Sequence, residues 1–161
     1  MYVDPRGPRF GAAITTVVLA AVLLSGSGWL LVAQAVVFGI GAIAGLRFAP
    51  YGVVYRHLVA RRLGRPEQLE AQAPPRFAQA VGLAFAVVGA AGYLSGVSLL
   101  GVIATAFALA AAFLNAAFDY CLGCEVHLRL ARLLGRPVVR YVSRADYPSA
   151  HSAQSKEKAY A

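Results

Sequence analysis

Two thiols, Cys121 and Cys124, face each other across Leu122 and Gly123, and they are the only cysteines in the chain. A Cys-x-x-Cys pair supports three kinds of chemistry. It can cycle between dithiol and disulfide or accept sulfur, because a thiolate attacks a disulfide and a nearby second thiol resolves the adduct. It can be structural, two small apolar residues kept reduced in the cytoplasm. It can also bind metal, with Cys121, Cys124 and His127 as three ligands and Asp119 or Glu125 as a fourth. Closed zinc sites usually draw a second Cys pair from elsewhere, and this chain has none; His57 is a donor the other half could contribute. Cys121 is expected to open a helix, where unpaired N–H groups and the helix dipole lower a thiol pKa, while Asp119 and Glu125 oppose that effect. Cys121 is thus the expected nucleophile and Cys124 the resolving thiol, with Arg129 and Arg132 adding positive potential or holding lipid phosphates. No cofactor is implied.

Other chemistry is thin. Inside the apolar runs the polar side chains are Thr15, Thr16, Gln34, Gln79, Ser98, Thr105 and Asn115, none ionisable. Proton relays and ion pumps need a titratable group at depth, so that class is disfavoured. There is no phosphate-cradling glycine loop, metalloprotease helix motif or serine triad.

The elements that must hold the thiols are membrane helices. The chain of 161 residues is 59% hydrophobic and 14% charged, more apolar surface than a soluble domain of this size can hide. No charge falls between Phe10 and Leu46, nor between Phe77 and Phe118. Each run is about twice the roughly 20 residues of one crossing. Each is broken by small residues, Ser25 to Gly28 in the first and Gly92 to Gly96 in the second. Two helical hairpins follow, with spans at about 10–25, 29–46, 77–94 and 97–118. A β-barrel would alternate polar and apolar residues, whereas Val17–Leu24 and Ala106–Leu114 are apolar all round.

The chain also repeats itself. Pro8-Arg9-Phe10 opens one half and Pro75-Arg76-Phe77 the other; Leu63-Gly64-Arg65-Pro66 closes the first and Leu134-Gly135-Arg136-Pro137 the second. With one helical turn inserted near the second hairpin tip, Gln34 falls on Thr105, Gly52 on Gly123, and Cys121 on Pro50. The first span matches the third, so it is a span and not a cleaved signal. Close packing is expected at Gly41-x-x-x-Gly45, Gly82, Gly89 and Gly92. Residues 50–63 and 121–134 mix apolar and basic residues at helical spacing and read as amphipathic helices.

The expected architecture is therefore all-α: a four-helix membrane bundle of two parallel two-span repeats, each followed by a cytoplasmic amphipathic helix. Residues 1–137 form one membrane domain, with repeat 1 at 8–66, a linker at 67–74 and repeat 2 at 75–137. The linker and the tail 138–161 show no periodicity and are expected to be mobile. All 15 Lys and Arg lie in residues 1–9, 47–76 and from 129 onward. The positive-inside rule then places both termini and the central segment in the cytoplasm, in the inner (plasma) membrane. The net charge of +8 reads as topology plus attraction to anionic lipid headgroups, and no soluble basic domain is present for nucleic acid.

Asp4-Pro5-Arg6-Gly7-Pro8-Arg9-Phe10, Pro74-Pro75-Arg76-Phe77-Ala78-Gln79 and Leu114-Asn115-Ala116-Ala117-Phe118, followed by Cys121-Leu122-Gly123-Cys124-Glu125, resemble a bacterial membrane family. It is domain of unknown function 4395, and the likeness covers about residues 4–137. The resemblance implies a small multi-spanning protein with a dithiol and no established reaction, and a separate thioredoxin-like or sulfurtransferase protein as partner. Two functions stand. One is a thiol-redox or sulfur relay at the cytoplasmic face through Cys121 and Cys124. The other is a non-catalytic bundle, a small-solute transporter or a subunit of a complex or homo-oligomer, with structural thiols. A quinone-linked generator of periplasmic disulfides would need its dithiol outside, against the charge bias.

Overall fold

The structure, a computed structural model, describes residues 2–64, 66–136, 140–143 and 145. It is mostly helical. Six helices follow one another: α1 (Arg6–Ser25), α2 (Gly28–Ala44), α3 (50–63), α4 (Ala73–Leu94), α5 (Ser98–Phe118) and α6 (Leu122–Leu133). Three of them, α1, α4 and α5, are long and apolar enough to cross a membrane; α2 is apolar but shorter.

Local sequence explains where the helices start and stop. The chain leaves α1 through Gly26 at φ 64, the left-handed conformation that glycine adopts without penalty, and Ser27 then caps α2 by accepting from Leu30 N–H. Proline opens α3 at Pro50 and stands in the first turn of α4 at Pro74 and Pro75, where its missing N–H costs nothing. Two helices carry a π-helical turn, Ile40–Ala44 at the end of α2 and Tyr55–Val59 within α3. Each such turn takes one residue more than an α turn.

Packing joins α1 to α5, α2 to α4, and α4 to α5 along their lengths. The core is Leu19, Val22, Leu31, Ala35, Phe38, Ala86, Ala90 and Ala108. Glycines let α4 and α5 touch: a Cβ on Gly92 would stand 2.6 Å from Gly101 N. A Cβ on Gly82 would stand 3.0 Å from Phe38, one on Gly89 2.8 Å from Leu31 and one on Gly41 3.0 Å from Gln79, as expected of packing glycines. Gly45 does something else. It has φ 98 with nothing near its Cβ position, so it ends α2 rather than packing a helix against it. Outside this core, large apolar side chains cover the surface, with Leu24 90% and Trp29 73% exposed. A soluble protein hides most such groups, and here they form the outer faces of the long helices.

The linker departs from its sequence reading. Residues 68–71, expected to be without regular structure, form the central strand of a three-stranded antiparallel sheet. β1 (Tyr2–Val3) pairs with β2 (Gln68–Ala71) in the register Tyr2↔Ala71, and β2 pairs with β3 (Tyr141–Ser143) through Leu69↔Val142. Two- to four-residue strands are too short to show a period of two, and their pairing partners lie about 70 residues away in sequence. The tail departs likewise where it is described, Tyr141–Ser143 forming β3, while residues 138–139, 144 and 146–161 lie outside the described residues.

Candidate functional site around Cys121 and Cys124

α5 ends at Asp119, which takes φ 57, and two residues later α6 begins. Asp is one of the few side chains that tolerates this left-handed backbone, so the chain turns sharply without a glycine. Cys121 is the N-cap of α6 and not its first helical residue: its backbone is extended, and its Sγ accepts from Cys124 N–H at 3.3 Å. The two residues lie 5.2 Å apart at Cα, with their sulfurs at disulfide distance. Both are buried, Cys121 at 7% and Cys124 at 1% exposure. Gly123 brings α6 onto α4, since a Cβ there would meet Ala78 Cα at 2.6 Å.

Electrostatics enter from the sheet. Arg140 bridges two carboxylates: its Nε donates to Glu70 Oε1 at 3.2 Å and one terminal nitrogen to Glu125 Oε1 at 3.0 Å. Glu70 is 4% exposed. Burial pushes its carboxyl above the usual range, and Arg140 pulls it back. This ion pair ties the central strand to the first turn of α6, the turn that carries Cys124. Neither Glu70 nor Arg140 stood out in the sequence; a lone Glu between Leu69 and Ala71 was the available signal.

The remaining candidates separate. His127 packs its ring against Phe77, with centroids 5.4 Å apart and the planes tilted by 44°. His57 lines a different cavity, of about 730 Å³, with Arg47, Tyr51, Tyr55 and Arg56. Among the described residues no three His, Cys, Asp or Glu side chains converge closely enough for a metal ion. Gln34 is 1% exposed and held between Thr15 and Tyr51, whose hydroxyl donates to it at 2.7 Å, while Thr105 donates to Gly101 O at 2.7 Å. These are interhelical and local bonds that satisfy buried polar groups. Tyr55 donates to Asp4 at 3.0 Å, and burial together with that bond pushes its hydroxyl up to about 12.

Cys121 also lines a second cavity, of about 320 Å³, between α1, α2, α4, α5 and the start of α6. Its walls include Phe77, Phe85 and Phe107, and its polar side chains include Gln79 and Asn115.

Fold and site together define a helical protein of membrane type with a vicinal Cys pair at disulfide distance, capping a short amphipathic helix. The chain belongs to the family described as Domain of unknown function (DUF4395), which matches residues 3–132. Comparison with curated proteins and with solved structures found no match.

Proposed function

We propose that the protein is a four-span membrane thiol relay, with Cys121 and Cys124 exchanging two electrons with a thioredoxin-like or sulfurtransferase partner at the cytoplasmic face. Parity supports four crossings. Tyr2 pairs with Ala71, and Glu70 with Tyr141, so the chain before α1, the chain between α2 and α4, and the chain after α6 lie on one side. If α1 crosses, α2 must return, and α4 and α5 likewise. The 17 residues of α2 reach about 25 Å, a little short of a hydrocarbon core of roughly 30 Å. Modest local thinning accommodates that mismatch.

Matching contacts support two parallel repeats. Arg9 donates to the carbonyls of Ala116 and Ala117 at the end of α5, and Arg76 to those of Ala42 and Ile43 at the end of α2. Phe10 packs on Tyr55 and Phe77 on His127. Gly11 lies against Tyr51, and Ala78 against Gly123. These pairs put the amphipathic helices in a register one residue away from the sequence alignment, so that Cys121 matches Ala49, the other N-cap, and Cys124 matches Gly52. The π turn of α3 absorbs the extra residue before both halves reach Leu-Gly-Arg-Pro.

That register carries the function. α3 is capped at Ala49 with no side-chain bond, so this helix position folds without a cysteine. Two thiols at the matching place in one repeat alone are therefore an addition to the architecture and not a requirement of it. In the reduced form the Cys124 N–H is placed to donate to a Cys121 thiolate at the positive end of α6. Cys121 then attacks a partner disulfide and expels one partner thiolate. Cys124 attacks the Cys121 sulfur and releases the second, leaving the Cys121–Cys124 disulfide; the reverse sequence returns the electrons.

In cells, Cys124→Ser is expected to trap a mixed disulfide with a cytoplasmic protein, and Cys121→Ser none. If neither variant traps a protein, and the double serine variant grows normally under thiol stress, the relay gives way to the non-catalytic bundle. The burial of both sulfurs is the observation that favours that second reading. A C-terminal reporter fusion active only in the periplasm would overturn the topology.

A further inference from the structure

We infer that the cavity beside Cys121 binds the ring of a lipid-soluble quinone, which oxidises the Cys121–Cys124 dithiol. This rests on the redox reading of the pair and names its electron acceptor. Three observations converge on it. The first is access: Cys121 is only 7% exposed to solvent, yet it forms part of the cavity wall, so a ligand in the cavity lies against this residue. The second is the entrance. Phe85 and Phe107 line the cavity with their rings 6.3 Å apart and stacked, and Phe107 is 63% exposed on the outer face of α5, which the four-span reading turns towards lipid. A ligand enters from the bilayer past aromatic edges. The third is chemistry. None of the described residues lining the cavity is charged, so it selects a neutral ligand. Gln79 and Asn115 are amides that can donate to ligand carbonyls, and Phe77 offers a further aromatic wall. A volume of about 320 Å³ is at the small end of ligand pockets and suits one substituted ring with its tail left in lipid.

The first repeat supplies a contrast. Its counterpart cavity, lined by Gly11, Ala49 and Gly52, admits Arg47, Arg56 and His57 and holds no thiol. A charged wall opposes an apolar ring, so only the cavity with the dithiol is built for one.

The step balances. Two S–H bonds break and one S–S bond forms, and the thiols lose two electrons and two protons. Both carbonyl oxygens of the quinone gain them and become hydroxyls. A thioredoxin-like dithiol then reduces the Cys121–Cys124 disulfide again, which sends electrons from cytoplasmic thiols into the membrane quinone pool.

The test uses the full-length protein in detergent micelles, reduced with dithiothreitol, desalted and mixed without oxygen with decyl-ubiquinone. One equivalent of quinone is expected to become quinol as both thiols disappear into a disulfide. Ala111→Trp, which fills the half-buried wall of the cavity, should slow this at least tenfold, with Ala111→Leu giving a smaller slowing should the larger side chain prevent folding. Val17→Trp, on the exposed face of α1, should react as wild type, and diamide should oxidise the thiols of all three. Thiols that resist decyl-ubiquinone, a covalent quinone adduct in place of the disulfide, or wild-type rates in both Ala111 variants would each overturn the proposal. Trapping of a partner by Cys124→Ser without quinone oxidation would leave the relay standing and end the quinone. Quinone oxidation with no partner trapped would do the converse.

Discussion

Gly123→Ala should loosen the N-terminus of α6 from α4 and expose the thiols. The added Cβ would stand 2.6 Å from Ala78 Cα and 2.7 Å from Ala78 Cβ. Carbon atoms keep roughly 3.5–4.0 Å apart, so the two helices must separate by about 1 Å. Backbone cannot swing aside as a side-chain tip does, and overpacking of this kind costs about 1–3 kcal/mol. Alanine regains up to about 1 kcal/mol of helix propensity, which leaves a net loss of up to about 2 kcal/mol. Thermal unfolding in detergent, followed by circular dichroism, should show a Tm several degrees lower, at roughly 2–4 °C per kcal/mol for a chain of this size. Maleimide should label the reduced thiols faster than in wild type. Adding Ala78→Gly should restore less than half of the loss, because the contact with Ala78 Cα remains. A Gly123→Ala protein that melts with wild type and labels at the same rate would refute the close packing of α6 on α4.

Two further outcomes follow from the same contacts. Arg76→Ala should cost about 1–3 kcal/mol, since its guanidinium makes three contacts to the carbonyls ending α2 at 2.8–3.3 Å. Arg9→Ala, with two contacts at 3.1 and 3.4 Å, should cost less, and unfolding in detergent of the two variants side by side would expose a reversed order. Tyr55→Phe should flatten the alkaline limb of stability. The folded hydroxyl holds its proton up to about 12 against 10.0 for a free tyrosine, so its contribution is full below pH 10 and falls away as pH rises towards 12. An unchanged limb in the phenylalanine variant would place the titration elsewhere.

Much of this protein was legible along the chain because its signals are local. Uncharged runs of double length, broken at Ser25–Gly28 and Gly92–Gly96, place the helical hairpins within a few residues of α1, α2, α4 and α5. Apolar and basic residues at helical spacing likewise mark α3 and α6, and the spacing of Cys121 and Cys124 puts two sulfurs within bonding reach. Each of these depends on the period of a helix or on a separation of three residues, which the order of side chains alone determines. What required the tertiary structure depends on parts of the chain far apart in sequence. The sheet joins residues 2–3, 68–71 and 141–143, and its strands are too short to announce themselves. The Glu70–Arg140–Glu125 bridge needs that sheet to exist. The π turn at Tyr55–Val59 within α3 is likewise hidden, one extra residue in a ladder of hydrogen bonds that no side-chain pattern records. The cavity beside Cys121 exists only because five helices meet there.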